Sequence, residues 1–108
     1  MANTFKLKTK KNVGITTSDI YVVPGSTTSV VIGITLANTS GSGCNAGIGI
    51  ERNSADDISL LKNAPIPQGS SLEFMQGNKI VLETTDTITA KSDVNNSLDV
   101  ALTIMEIT

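Results

Sequence analysis

Apolar and polar positions alternate in short runs along most of the chain, and clusters of Gly, Pro, Ser, Asn and Asp separate the runs. A period of two places successive side chains on opposite faces of an extended backbone, so each run predicts a half-buried β-strand. Residues 4 to 11 (TFKLKTKK) alternate apolar residues or Thr with lysine, the pattern of an edge strand whose charges discourage pairing with a foreign edge. Lys6, Lys8 and Lys10 then share one face. Residues 18 to 23 (SDIYVV) form a short strand stopped by Pro24-Gly25. The strongest run is 28 to 37 (TSVVIGITLA), where alternation sets Val30, Ile32, Ile34 and Leu36 against Val31, Gly33, Thr35 and Ala37.

A loop at 38 to 43 (NTSGSG) leads into 44 to 52 (CNAGIGIER), where Ala46, Ile48 and Ile50 oppose Gly47 and Gly49. Glycine inside a strand marks a bulge or a close backbone approach. Together with Gly33, these positions predict a flat patch poor in side chains, either a subunit contact or a tight contact between sheets within the monomer. A turn at 53 to 57 (NSADD) and a strand at 58 to 62 (ISLLK) follow. Pro65 and Pro67 hold 63 to 69 (NAPIPQG) extended, as an edge or a crossover, because proline lacks the donor a central strand requires. The remainder reads as 71 to 75 (SLEFM), a hairpin turn at Gln76-Gly77-Asn78, 79 to 83 (KIVLE), a turn at 84 to 86 (TTD), 87 to 91 (TITAK), a polar loop at 92 to 97 (SDVNNS) and 98 to 107 (LDVALTIMEI). In the last strand Leu98, Val100, Leu102 and Ile104 face one way and Asp99, Ala101, Thr103 and Met105 the other.

There is no helical stripe and no internal repeat. About eight or nine short strands separated by frequent turns predict an all-β fold, a single β-sandwich of jelly-roll or Ig-like type. At 108 residues this is one domain, with 1 to 17 as a basic N-terminal strand or arm and 18 to 108 as the sandwich body.

Composition then narrows the chemistry. The chain has no His, no Trp and one Cys. It therefore lacks an imidazole base, a Ser/His or Cys/His nucleophile pair and the usual zinc constellations, and a non-enzymatic protein without cofactors is expected. A lone cysteine forms no internal disulfide, which fits folding in a reducing cytoplasm. The net charge of −2 conceals a division. Lys6, Lys8, Lys10 and Lys11 put +4 at the start, and the rest carries four basic and ten acidic side chains, −6. Such a dipole suits attachment to an acidic surface or head-to-tail contact between copies; a merely solvated first strand is the plain alternative. The polar residues after the lysines break up any apolar core of a signal peptide, and no run approaches the ~20 apolar residues of a membrane helix, so no membrane partner is expected.

Asp56-Asp57 and the group Asp93, Asn95, Asn96, Asp99 are the carboxylate clusters. An EF-hand opening at Asp93 would need Gly where Leu98 stands and Glu where Ile104 stands, so turn chemistry accounts for both clusters. Gly41-Ser42-Gly43 lacks the Gly-Lys-Ser/Thr ending of a phosphate loop. Cys44 has no basic neighbour to activate it and reads as a small core residue. Asn38-Thr39-Ser40 and Asn95-Asn96-Ser97 match the glycosylation triplet by coincidence, given no secretory signal. Nucleic-acid binding is not expected, since the lysines have only Phe5 and Tyr21 nearby as stacking partners.

Ile20-Tyr21-Val22-Val23-Pro24-Gly25 followed by Ser29-Val30-Val31-Ile32-Gly33, the stretch from Lys62 to Leu72 with its Pro65-Ile66-Pro67-Gln68-Gly69-Ser70-Ser71, and Lys79-Ile80-Val81-Leu82-Glu83 running to Asp86-Thr87-Ile88 together resemble small virion structural proteins of tailed bacteriophages. The resemblance spans residues 18 to 107 and rests on turn chemistry and strand pattern. It departs from the pattern at the hairpin tip, where Thr85-Asp86 stands in place of a common Gly-Asp. It implies a component of the phage particle, assembled in the host cytoplasm: a capsid decoration protein seated on the major capsid protein, or a tail, neck or baseplate part. Association with further copies is expected with it. The candidate contact residues are Lys6, Lys8, Lys10, Lys11, Gly33, Gly47 and Gly49. A carbohydrate-binding module is the reading from another class, weakened by the scarcity of aromatic platforms.

Overall fold

The computed structural model describes residues 2–52, 56–74 and 79–108. These form an all-β sandwich of nine strands: β1 (Asn3–Val13), β2 (Ser18–Val22), β3 (Thr28–Asn38), β4 (Cys44–Glu51), β5 (Ile58–Ile66), β6 (Ser71–Phe74), β7 (Ile80–Leu82), β8 (Thr87–Ser92) and β9 (Leu98–Ile107). One sheet runs β1-β9-β3, with β6 and β7 end to end along the far edge of β3; the other runs β2-β8-β4-β5. All pairings are antiparallel. The first and last strands are neighbours, and the chain passes repeatedly from sheet to sheet. With β6 and β7 filling one strand position, this is the jelly-roll order, which decides between the two sandwich types expected. The predicted turn at 76 to 78 and residues 53 to 55 of the predicted 53 to 57 turn lie outside the described residues.

The core lies between the sheets. Val31, Ile34, Leu36, Leu82, Leu98, Val100, Leu102 and Ile104 from the first sheet meet Ile20, Ala46, Ile48, Ile50, Ile66, Ile88 and Ala90 from the second. Each fully buried aliphatic side chain contributes about 1.5–3 kcal/mol of transfer free energy. The alternation predicted for β9 and β4 is the one observed. In β3 it fails halfway: Ser29 and Val31 point inward, then the register against β9 shifts between Val31 and Gly33, and Ile34, Leu36 and Asn38 point inward. Val30 and Ile32 are therefore not core positions, because a bulge inserts one residue and reverses the phase. A second bulge between Asp19 and Tyr21 buries both Ile20 and Tyr21.

The predicted strand 58 to 62 and the start of the extended 63 to 69 stretch are joined in the single edge strand β5, which ends at Ile66 and whose Pro65 pairs only with Asn45 on the β4 side. Buried Asn38 closes the loop after β3, donating from Nδ2 to the carbonyls of Ser42 (2.8 Å) and Ile66 (2.9 Å) and accepting from the Ser40 N–H at Oδ1. At the β7–β8 turn, Thr85 takes φ 73°, the conformation that glycine adopts without strain. Backbone bonds from Thr85 N–H to Val23 O and from Val23 N–H to Asp86 O hold it there.

Candidate interaction surface

Strand β1 sits at the edge of its sheet and pairs with β9 from Asn3↔Ile107 to Val13↔Leu98. Directly opposed residues of an antiparallel pair point to the same face. Lys6, Lys8 and Lys10 oppose Ile104, Leu102 and Val100, all of them core residues. The three lysines therefore share a face, and it is the inner one. Phe5 and Leu7, opposed to Met105 and Thr103, lie on the outer face, 70% and 64% exposed. The usual apolar-in, polar-out order is inverted along this strand.

The inner side of β1 looks across the sandwich toward β2 and β8, and a polar network fills that flank. Lys6 Nζ lies 2.8 Å from Glu106 Oε1, and the Glu106 side chain is only 7% exposed. Tyr21 donates its hydroxyl hydrogen to Glu106 Oε2 at 2.5 Å and so accepts from Ser29 Oγ at 2.6 Å. Lys8 Nζ stands 5.8 Å from the centroid of the Tyr21 ring, within cation–π reach. The ammonium of Lys6, then the hydroxyl of Tyr21, hold the Glu106 carboxyl below its ordinary range. Burial, reinforced by the bond to Glu106, pushes the Tyr21 phenol up to about 12. Four strands, β1, β2, β3 and β9, meet in this network. Of its members, the sequence marks Lys6 and Lys8 as contact candidates and Tyr21 only as a neighbour in sequence; Glu106 is marked by no motif, although it occupies the next inward position after Ile104.

On the outer face of the same sheet one row crosses four strands: Phe5 beside Met105, Met105 beside Val30, Val30 beside Val81. Val81 is 62% exposed, Met105 and Val30 half-buried. Next to it, Leu7 leads through Thr103 to Gly33, where an added Cβ would meet no atom within 4 Å. An apolar stripe thus borders a shallow, small-residue area. Contiguous exposed apolar area of this kind marks an interaction surface.

The three glycines do not form one patch. Gly33 belongs to the five-stranded sheet, Gly47 and Gly49 to the other. A Cβ on Gly49 would lie 3.1 Å from the Ile58 carbonyl oxygen and 3.2 Å from Thr89 Oγ1, and one on Gly47 would lie 3.3 Å from the Leu61 carbonyl oxygen. Register shifts in the β4–β5 pairing bring the β5 backbone that close. The close approach is between strands of one sheet, and it fully accounts for these two glycines. They line a shallow groove with Asn45, Lys62, Thr89 and Lys91, and among the described residues no aromatic side chain lines it.

The other candidates resolve into turns. Lys10 and Lys11 stay exposed beside a bulge at which Asn12, with φ 58°, donates its N–H to Asp99 Oδ1 (3.0 Å). Asp93 Oδ1 accepts from the Asn45 N–H (2.8 Å). Arg52 reaches Asp86 through Nε at 3.2 Å and Glu83 through a terminal nitrogen at 2.7 Å, tying the end of β4 to the β7–β8 turn. Cys44 is buried.

No protein-family model and no curated protein sequence matches the chain. Among solved structures it is similar to a chain of Bacillus endospore appendages, described as forming a novel family of disulfide-linked pili: 15% identity and a TM-score of 0.60, covering 99% of this chain and 87% of that one. At that identity the likeness is one of fold.

Proposed function

We propose that the chain is a non-enzymatic structural subunit that works by being packed into a multi-copy assembly. Following the sequence resemblance, we take that assembly to be a tailed bacteriophage particle, with the chain as a decoration protein on the head, seated on the major capsid protein. The observation that carries the reading is the inverted strand β1, which turns Phe5 to solvent in line with Met105, Val30 and Val81 and sets Leu7 beside that row. A surface strand exposing such a row leaves apolar area in water that packing against a neighbour removes. The appendage protein supports the coarser half of the proposal, since a similar fold there belongs to a protein that forms pili. Its disulfide linkage does not carry over to the buried Cys44.

A place in the tail, neck or baseplate is the alternative within the same class. The carbohydrate-binding reading loses support, because the groove on the four-stranded sheet offers no aromatic platform among the described residues; a glycan array is expected to give no hits. Electron microscopy of heads separated from tails tests the main proposal. Density of this shape is expected on the head exterior. Recovery only in tail fractions selects the alternative, and absence from both ends the phage reading.

A further inference from the structure

We propose that the outer face of the five-stranded sheet is covered by a second copy of this chain, the two sheets packing face to face about a two-fold axis. The inference rests on the reading of the chain as an assembly subunit and names the occupant of the surface that carries it.

Three observations select a copy of the chain itself. The first is charge. Among the described residues, the charged side chains on the outer side of these strands are Asp99 on β9, Glu73 opposite Thr35 on β6, and Lys11 beside the β1 bulge, all toward the end of the sheet away from the stripe. Lys6 and Lys8 lie on the inner side, and Lys10 and Lys11 sit at the rim of this face near Thr35, Ala37 and Asp99. Two copies of a chain with net charge −2 therefore meet here without like charges in opposition. The stripe itself offers no charge for a partner of opposite sign to recognise.

The second is area. Four strands at ~4.8 Å spacing and about ten residues at ~3.3 Å rise make a face of about 600 Å². Two such faces bury about 1,200 Å², the lower bound of the standard size for a stable interface. The third is symmetry. A two-fold axis along the strands, between β9 and β3, lays the row Phe5, Met105, Val30, Val81 over itself in reverse. Phe5 then faces the partner's Val81, and Met105 the partner's Val30. Sheets packed this way stand ~10 Å apart with interleaved side chains, and the half-buried centre of the row leaves room for the projecting ends.

Sedimentation equilibrium of the intact chain tests the pair. At about 100 µM the wild type is expected to be a dimer. Phe5→Asp and Met105→Asp are each expected to raise the dissociation constant roughly 100-fold, because a two-fold interface counts each loss twice. Their far-ultraviolet circular dichroism should stay that of the wild type, since both side chains lie outside the core. The double variant Phe5→Cys/Val81→Cys should cross-link between copies on oxidation, since the two positions lie three strands apart within one chain, too far for an internal disulfide. A monomeric wild type at that concentration overturns the pair. So does an association that survives both Asp substitutions, or one removed instead by Lys10→Glu/Lys11→Glu. Particle location is read separately. A monomer found on phage heads removes the pair and leaves the decoration role, and a dimer absent from particles does the reverse.

Discussion

Strands β1 and β9 lie side by side with matched alternation, yet the same face of the sheet carries Leu98, Val100, Leu102 and Ile104 on one and Lys6, Lys8 and Lys10 on the other. The difference lies in what stands opposite. β9 is flanked on both sides and roofed by the second sheet, so its inward side chains lose water completely. β1 is an edge facing the flank of the second sheet, where a long lysine stem reaches over apolar neighbours while its head finds Glu106 or the Tyr21 ring. An inward charge on an edge strand also resists capture by foreign strands. The outer face of β1 is thereby left to apolar residues that do nothing for the monomer.

The sharpest way to break this contrast is at paired positions one strand apart. Leu102→Ala should cost about 3 kcal/mol in urea unfolding of the monomer, through lost transfer energy and the cavity left in a core site. Leu7→Ala, on the outer side of the neighbouring strand, should change it by less than about 0.5 kcal/mol. Lys6→Met should cost about 1–2 kcal/mol, less than for a fully buried pair because the lysine is half exposed, while Lys10→Met should be near neutral.

The pH dependence sharpens the same point. The Glu106 pKa is lowered on folding, so its contribution is present above the unfolded value of about 4.5 and is lost as pH falls through the lower native value. Glu106→Gln should remove that acid limb from a stability-versus-pH curve. The Tyr21 pKa is raised to about 12, so stability should fall as pH climbs from about 10 toward 12, and Tyr21→Phe should flatten that limb. The smallest expected effect is Phe5→Ser in the monomer, within about 0.5 kcal/mol. A larger loss in unfolding of the monomer would mean that Phe5 packs within its own chain.

Much of this architecture is legible in the alternation and turn residues. Strand positions, the edge character of β1 and of the proline-bearing β5, and the inner face of β9 all follow from local pattern. Three things do not. The phase of β3 reverses at a bulge, and a bulge is set by the partner strand's register, which alternation within one strand does not encode. The side of β1 that faces inward is undetermined by alternation alone, because lysine reads as outward until the open flank is known. The separation of Gly33 from Gly47 and Gly49 depends on sheet order. Glu106 is an intermediate case: its spacing from Ile104 marks it as inward, and only Tyr21, brought there by another strand, gives that position its partner.

The adjacency of β1 and β9 also has a consequence in time. Neither β1 nor the inner edge of β3 can close its ladder until the final strand has been made. At ~5–20 residues per second, the chain between β1 and β9 takes on the order of 10 s to synthesise. Throughout that interval Phe5 and Leu7 sit on a strand with both edges open. Assembly of this sheet is therefore gated by β9, and deleting that strand should leave β1 and β3 without their common partner.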